Sequence, residues 1–153
     1  MAEAAPLPPE TWTIHCDGSA VPNPGRMGLG AVLVEPNGTR HLLSAATDTR
    51  GCNNEAEARA LMAALRELQV RGATTLQIYC DSSLLVEQLG SALVPPVARL
   101  APLYAEARAL LETFARASVH WIPRHHNGEA DTLARAALSL PPKRLVKLTR
   151  RRR

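Results

Sequence analysis

Four acids in this chain stand where a carboxylate is either costly or out of pattern: Asp17, Glu57, Asp81 and Asp131. Asp17 closes the apolar run 11–19, in which Trp12, Ile14 and Cys16 alternate with Thr11, Thr13 and His15, the period of a strand. An unpaired acid at the tip of a central strand is expensive at the edge of a core. Either a cation sits there or the strand end opens to water. Asp81 directly follows a second strand-like run, 74–80. Glu57 stands four residues before Leu61, in line with the apolar stripe Leu61, Ala64, Leu65 and Leu68. Asp131 lies in the first turn of a helical pattern over 127–138. Taken singly, Glu57 reads as a first-turn acid favoured by the helix dipole, and Asp81 as a helix cap. Brought together, the four would repel and raise one another's pKa. A divalent cation removes that repulsion, and hard oxygen donors suit Mg²⁺ or Mn²⁺ over zinc.

The elements that must position these acids follow from periodicity and turn residues. Strands are expected over 11–19, 28–34 and 39–44, the last two joined by the hairpin turn Glu35-Pro36-Asn37-Gly38. The cluster Val21-Pro22-Asn23-Pro24-Gly25 closes the first strand. A helix over 54–70 stops at Gly72. Strand 74–80, helix 82–89, a Pro-containing connection 90–96, helix 97–115, strand 117–123 and helix 127–138 complete the chain, and Pro141-Pro142 ends the domain. This order predicts a mixed α/β sandwich. The helical crossover between the first and fourth strands makes them parallel neighbours. Asp17 and Asp81 then project from one sheet edge, the helix beginning near Asn54 brings Glu57 there, and Asp131 closes the group. Cys16 and Cys80 precede their acids by one residue, so alternation turns them into the core as inert residues.

At 153 residues the chain is expected to form one domain over 11–142, after a short disordered leader, 1–10, without the basic and apolar regions of a signal peptide. No apolar stretch is long enough to span a bilayer, so no membrane partner is expected. Three widely spaced cysteines, Cys16, Cys52 and Cys80, point away from a disulfide framework and toward a reducing, cytoplasmic setting. The net charge of +4 is unevenly placed: seven basic residues and no acids lie in 143–153, and the remainder carries 11 basic against 14 acidic residues. A cationic tail on a slightly acidic body suits a polyanion.

Asp17-Gly18-Ser19, Asn53-Asn54-Glu55-Ala56-Glu57, Tyr79-Cys80-Asp81-Ser82 and Asn127-Gly128-Glu129-Ala130-Asp131-Thr132-Leu133-Ala134 resemble, in order and spacing, the four signature blocks of type 1 ribonucleases H. The likeness runs over roughly residues 11–140. It implies an α/β, ribonuclease H-like fold with a five-stranded mixed sheet flanked by helices on both faces. It also implies an endonuclease that cleaves the RNA strand of RNA–DNA hybrids with two Mg²⁺ ions (Mn²⁺ as substitute), leaving 5′-phosphate and 3′-hydroxyl ends. One ion would activate the attacking water and the other stabilise the leaving 3′-oxygen, about 4 Å apart. By the family pattern Asp17 bridges both ions, Glu57 and Asp81 hold the first, and Asp131 holds the second. Gly18, Ser19, Asn53, Asn54 and Ser82 match residues on the minor groove of the hybrid, where the 2′-hydroxyl marks RNA. Asn23 matches a residue on a DNA-strand phosphate. A turn role for Asn23 and helix capping for Asn53 and Asn54 stand as alternatives. A monomer with no obligate protein partner is expected.

Three departures set this chain apart from the resemblance. Cys52 replaces a threonine whose hydroxyl assists the phosphate contact. The span 88–100 holds Arg99 alone where some relatives insert a lysine-rich protrusion. The loop before Asp131 is short, and Arg124, His125 and His126 compete for the role of a histidine that assists proton transfer or product release, with His125 or His126 favoured. A noncatalytic nucleic-acid-binding module and a related nuclease with another substrate are the competing readings. A pure binder, however, has no use for four mutually repelling acids.

Overall fold

The computed structural model describes residues 7–90 and 98–142. Residues 1–6 of the expected leader, 91–96 of the connection, position 97 of the helix expected over 97–115 and the basic tail 143–153 lie outside the described residues.

β1 (Thr11–Val21), β2 (Gly25–Val34) and β3 (Arg40–Gly51) form an antiparallel meander. α1 (Asn53–Val70) crosses one face and delivers the chain to β4 (Thr75–Cys80), parallel to β1. α2 (Ser83–Gly90), a 3₁₀ turn (Ala98–Leu100) and α3 (Ala101–Leu111) lead to β5 (Arg116–Trp121), parallel to β4. A second 3₁₀ turn (Arg124–His126) precedes α4 (Gly128–Ala137). The strand order is β3-β2-β1-β4-β5, so the expected five-stranded mixed sheet forms with β1 at its centre.

The core lies between the sheet and α1. Ile14, Cys16, Leu29, Leu33, Ile78 and Cys80 pack with Leu61, Leu65 and Leu68 in one buried cluster, joined by Tyr104 of α3. Each large apolar side chain sequestered there contributes roughly 1.5–3 kcal/mol. α1 suits that place because Ala, Leu, Met, Glu and Arg dominate its sequence, all strong helix formers. It ends where Gly72, at φ +77°, takes the left-handed position that other residues resist. α4 lies on the opposite face, against β2 and β1.

Several boundaries differ from expectation, among them the start of β2 at Gly25 and not 28 and the end of β5 at Trp121 and not 123. β1 runs two residues further, to Val21, because it stays paired with β2 as far as Val21 opposite Arg26. β3 extends to Gly51 and not to 44, because Ala45, Ala46, Arg50 and Gly51 pair across a bulge with β2, which hydrophobic alternation does not report. The helix expected over 97–115 is α3 alone. Pro102 in its first turn suits its start. At the other end turn bonds from Thr113 to Leu110 and from Phe114 to Leu111 draw Phe114 into the core. No helix among the described residues is long and apolar enough to cross a membrane.

Candidate active site

Two glycines bring helices close enough to β1 to deliver their acids. Gly18 follows Asp17, and a Cβ on it would fall 2.1 Å from the Ala56 carbonyl oxygen of α1. The residue after Ala56 is Glu57. Gly30 pairs with Asp17 across β1 and β2. A Cβ on Gly30 would fall 2.3 Å from the Ala130 carbonyl oxygen of α4, and the residue after Ala130 is Asp131. Only glycine permits either approach. Asp17 is thus reached from both faces of the sheet, while Asp81 comes from the end of the neighbouring parallel strand.

Asp17, Glu57 and Asp81 each place a carboxylate oxygen within 4.8 Å of the others. Asp17 is only 5% exposed. The Gly18 N–H donates to Asp17 Oδ1 at 3.0 Å and, more weakly, to Glu57 Oε1 at 3.3 Å. Asp131 lies outside the close triad, but it adds to the upward push on the Asp17 carboxyl. Burial pushes Asp17 far above the usual carboxylate range, and the charges of Glu57 and Asp81 push it further. Burial and Asp81 also raise Glu57, opposed by the neighbouring Asp17 carboxyl, the Gly18 N–H and the Arg124 charge. Among the described residues no basic side chain forms an ion pair with any of the four. Converging oxygens without thiol or imidazole, two of them driven toward the neutral form, fit a hard divalent cation. Cys16 and Cys80 are buried, and burial pushes both thiols up, to about 12 for Cys80.

The acids line an open cavity of about 460 Å³ whose walls include Gly18, Ser19, Asn53, Asn54 and Ser82. The other expected substrate residue, Asn23, is exposed and does not line the cavity, and its Oδ1 accepts from the Asn53 N–H at 3.0 Å. Asn53 Oδ1 accepts from the Ala20 N–H at 2.8 Å. These two asparagines stitch the end of β1 to the start of α1. Asn54 is exposed. Ser82, and not Asp81, caps α2, since its Oγ accepts from the Leu85 N–H at 3.1 Å. Asp81 is thereby left to the acid cluster. Cys52 occupies the N-cap position of α1 without a side-chain cap bond, and Arg99 reaches it, Nη2 to Sγ, at 3.6 Å.

Neither His125 nor His126 lines the cavity; both are exposed and stack edge-on at 4.2 Å. Arg124, the third candidate of that loop, does line it. Two further residues carried no expectation. Arg135 lines the cavity from α4, one turn beyond Asp131, a spacing that could have revealed it. Asn127 is 1% exposed and donates to Asp81 Oδ2 at 2.9 Å. In the sequence it reads as an ordinary cap before a helix, and nothing local distinguishes an asparagine that turns inward.

A family model described as reverse transcriptase-like matches residues 15–137. A bifunctional protein of Mycobacterium tuberculosis is 37% identical over 126 residues, covering 82% of this chain and 35% of that protein. The chain therefore spans about a third of the length of the curated relatives it matches first. The crystal structure of ribonuclease H1 from Halobacterium salinarum superposes with a TM-score of 0.78 at 33% identity, covering 84% of this chain and 98% of that one. A ribonuclease H1 isolated from compost, crystallised in complex with an RNA/DNA hybrid, superposes at 0.72 with 29% identity, covering 84% and 96%.

Proposed function

Because this chain belongs to the ribonuclease H family, we propose that it is a metal-dependent endonuclease hydrolysing the RNA strand of RNA–DNA hybrids. The observation that carries the reading is the convergence of Asp17, Glu57 and Asp81 within 4.8 Å, with Asp131 beside them, in an open cavity. The hybrid bound by the compost enzyme supports the choice of substrate. Two Mg²⁺ ions, or Mn²⁺ in their place, supply water activation and charge neutralisation at the leaving oxygen when bound. Asp17, Glu57, Asp81 and Asp131 are the residues that hold them.

The chain's own part is to bind and orient. Asn54, Ser82 and the free amide N–H₂ of Asn53 face the cavity as donors for 2′-hydroxyl and base-edge oxygens. Ser82 combines that role with capping. Asn23 acts by holding Asn53. The Arg124 and Arg135 guanidiniums stand at the cavity where phosphate oxygens must lie, and their planar forks suit that geometry. Arg124 therefore takes the loop position in preference to His125 or His126. Hydrolysis leaves a 5′-phosphate and a 3′-hydroxyl, the attacking water supplying the hydroxyl group to the phosphorus and a proton to the departing 3′-oxygen.

The basic tail 143–153 supplies nonspecific phosphate attraction in place of the absent protrusion. The Pro141 carbonyl accepts from Arg135 Nε at 2.7 Å, so the described chain ends beside a residue of the cavity wall. Three unpaired cysteines support a cytoplasmic setting, and we assign a monomer.

The test is incubation of end-labelled hybrid, double-stranded RNA and double-stranded DNA with the protein and Mg²⁺ or Mn²⁺. Cleavage confined to the RNA of the hybrid is the expected result. Cleavage of DNA would move the chain to another nuclease branch. Binding without cleavage in either metal would leave a noncatalytic module.

A further inference from the structure

The β1–β4 ladder stops one residue short of the acids. Its last pair is His15 opposite Tyr79, so Cys16 and Cys80 and the acids after them lie beyond the paired region. On its other side Cys80 is still held, because its carbonyl accepts from the Ile122 N–H at 2.9 Å. The gap is filled by one side chain. Asn127 Nδ2 donates to the Cys16 carbonyl at 2.9 Å and to Asp81 Oδ2 at 2.9 Å. Both partners are acceptors, so the amide orientation is fixed by chemistry; the flipped form would set oxygen against two oxygens.

Two features separate this arrangement from ordinary packing. Asn127 occupies the N-cap position of α4, yet it makes no side-chain cap bond there. Its Oδ1 is buried with no hydrogen-bond partner among the described residues. The residue thus forgoes both a cap and half of its hydrogen-bonding capacity to direct its N–H₂ group at Cys16 and Asp81. Local rules broken without local gain mark functional positions. Through its backbone Asn127 also accepts the Asp131 N–H at 3.1 Å. The supports of three acids meet on it: Cys16 just before Asp17, Asp81 itself, and the first turn of α4 that carries Asp131.

We infer that Asn127 is a positioning residue that clamps β1 to β4 beyond their last pair and fixes Asp81 with Oδ2 occupied and Oδ1 presented for metal. The inference rests on the metal reading given under Proposed function. Partners that orient a metal ligand typically carry about ten- to hundredfold in metal affinity or activity.

The test is calorimetric titration of the intact 153-residue protein and its Asn127→Ala variant with Mn²⁺. Asn127→Ala should bind Mn²⁺ about ten- to hundredfold more weakly. Its kcat should fall by a similar factor while KM for hybrid, and hybrid binding in EDTA, stay within about twofold. Such a split is not expected from a general loss of structure. Mn²⁺ affinity within twofold of the parent overturns the inference. So does equal loss of metal and hybrid binding. Failure of the parent itself to bind Mn²⁺ overturns the metal reading and the inference with it. A second measurement needs no variant. In ¹H–¹⁵N spectra of the parent, the Asn127 side-chain amide should exchange with solvent far more slowly than that of exposed Asn54. It should also shift at the same Mg²⁺ midpoint as the Asp81 backbone. An Asn127 amide that exchanges as fast as Asn54, or that Mg²⁺ leaves unmoved, overturns the inference even if Asn127→Ala fails to fold.

Discussion

The two faces of the sheet deliver an acid to Asp17 by the same device and with different rigidity. On one face α1 is 18 residues long and locked into the main core through Leu61, Leu65 and Leu68. On the other, α4 has 10 residues, and its fully buried side chains are Ala130 and Ala134. Beyond these its backbone sits directly on Gly28 and Gly30 of β2, and it is tied by Ser44 Oγ donating to the Leu133 carbonyl at 2.6 Å and by an exposed Arg40–Glu129 ion pair. Glu57 consequently belongs to the close triad, whereas Asp131 reaches it from the lip. The difference teaches that Glu57 is set by a core of large side chains, and Asp131 by a short helix seated on small residues.

The comparison breaks most completely at the residue both faces share. Asp17→Asn should reduce hybrid cleavage by about a thousandfold or more, several kcal/mol of lost stabilisation. Its metal-free melting temperature should not fall, because a buried, repelled carboxylate has been removed. Retained cleavage would refute the role assigned to Asp17.

The glycines separate the faces. Gly18→Ala places a methyl against backbone that the core holds still, and should cost about 3 kcal/mol, at the upper end for overpacking. Gly30→Ala meets the backbone of a shorter helix held by smaller buried side chains, and should cost less, about 1–2 kcal/mol, with activity reduced less. Urea unfolding and cleavage rates measured together check both. Equal losses at the two positions would show α4 to be as firmly held as α1.

pH sharpens the same contrast. Asp17 and Glu57 have folded-state pKa values raised above their unfolded values, so between those values the native state binds more protons than the unfolded one. Metal-free stability should therefore fall as pH rises from about 5 to 9, by about 1 kcal/mol or more, or roughly 3 °C in Tm. Saturating Mg²⁺ should flatten the slope. A melting temperature that rises with pH in EDTA would contradict the assignment of these groups.

The smallest effect concerns the tail 143–153, which lies outside the described residues. Truncation after Pro142 should weaken hybrid binding a fewfold at low salt and flatten its salt dependence, with folding unchanged. Affinity and salt slope identical to those of the parent would remove the tail from the binding account.

Much of this was legible in the chain. Alternation, turn residues and the helical crossover specify which strands are parallel and which acids share an edge, because periodicity of 2.0 and 3.6 residues decides which face a side chain takes. Three of the acids that the sequence singles out, Asp17, Glu57 and Asp81, do converge, because those periods set the face each takes. Other features were not. The extension of β3 to Gly51 is decided by pairing with β2, and the shortness of α3 by Phe114 turning into the core. The histidines and Arg124 stand next to one another in sequence, and only the 3₁₀ turn that carries them decides which one faces the cavity.

The sequence by itself therefore determined the elements, their order and the identity of the acids, since these depend on local periodicity and on the chemistry of single residues. Tertiary structure alone decided the distances. That Gly18 and Gly30 admit two helix backbones, that Asp131 stays at the lip, and that Asn127 turns inward to bridge Cys16 and Asp81 all depend on contacts between residues far apart in the chain. No local pattern encodes them, because the surfaces that meet do not exist until the sheet and both of its helical layers have assembled.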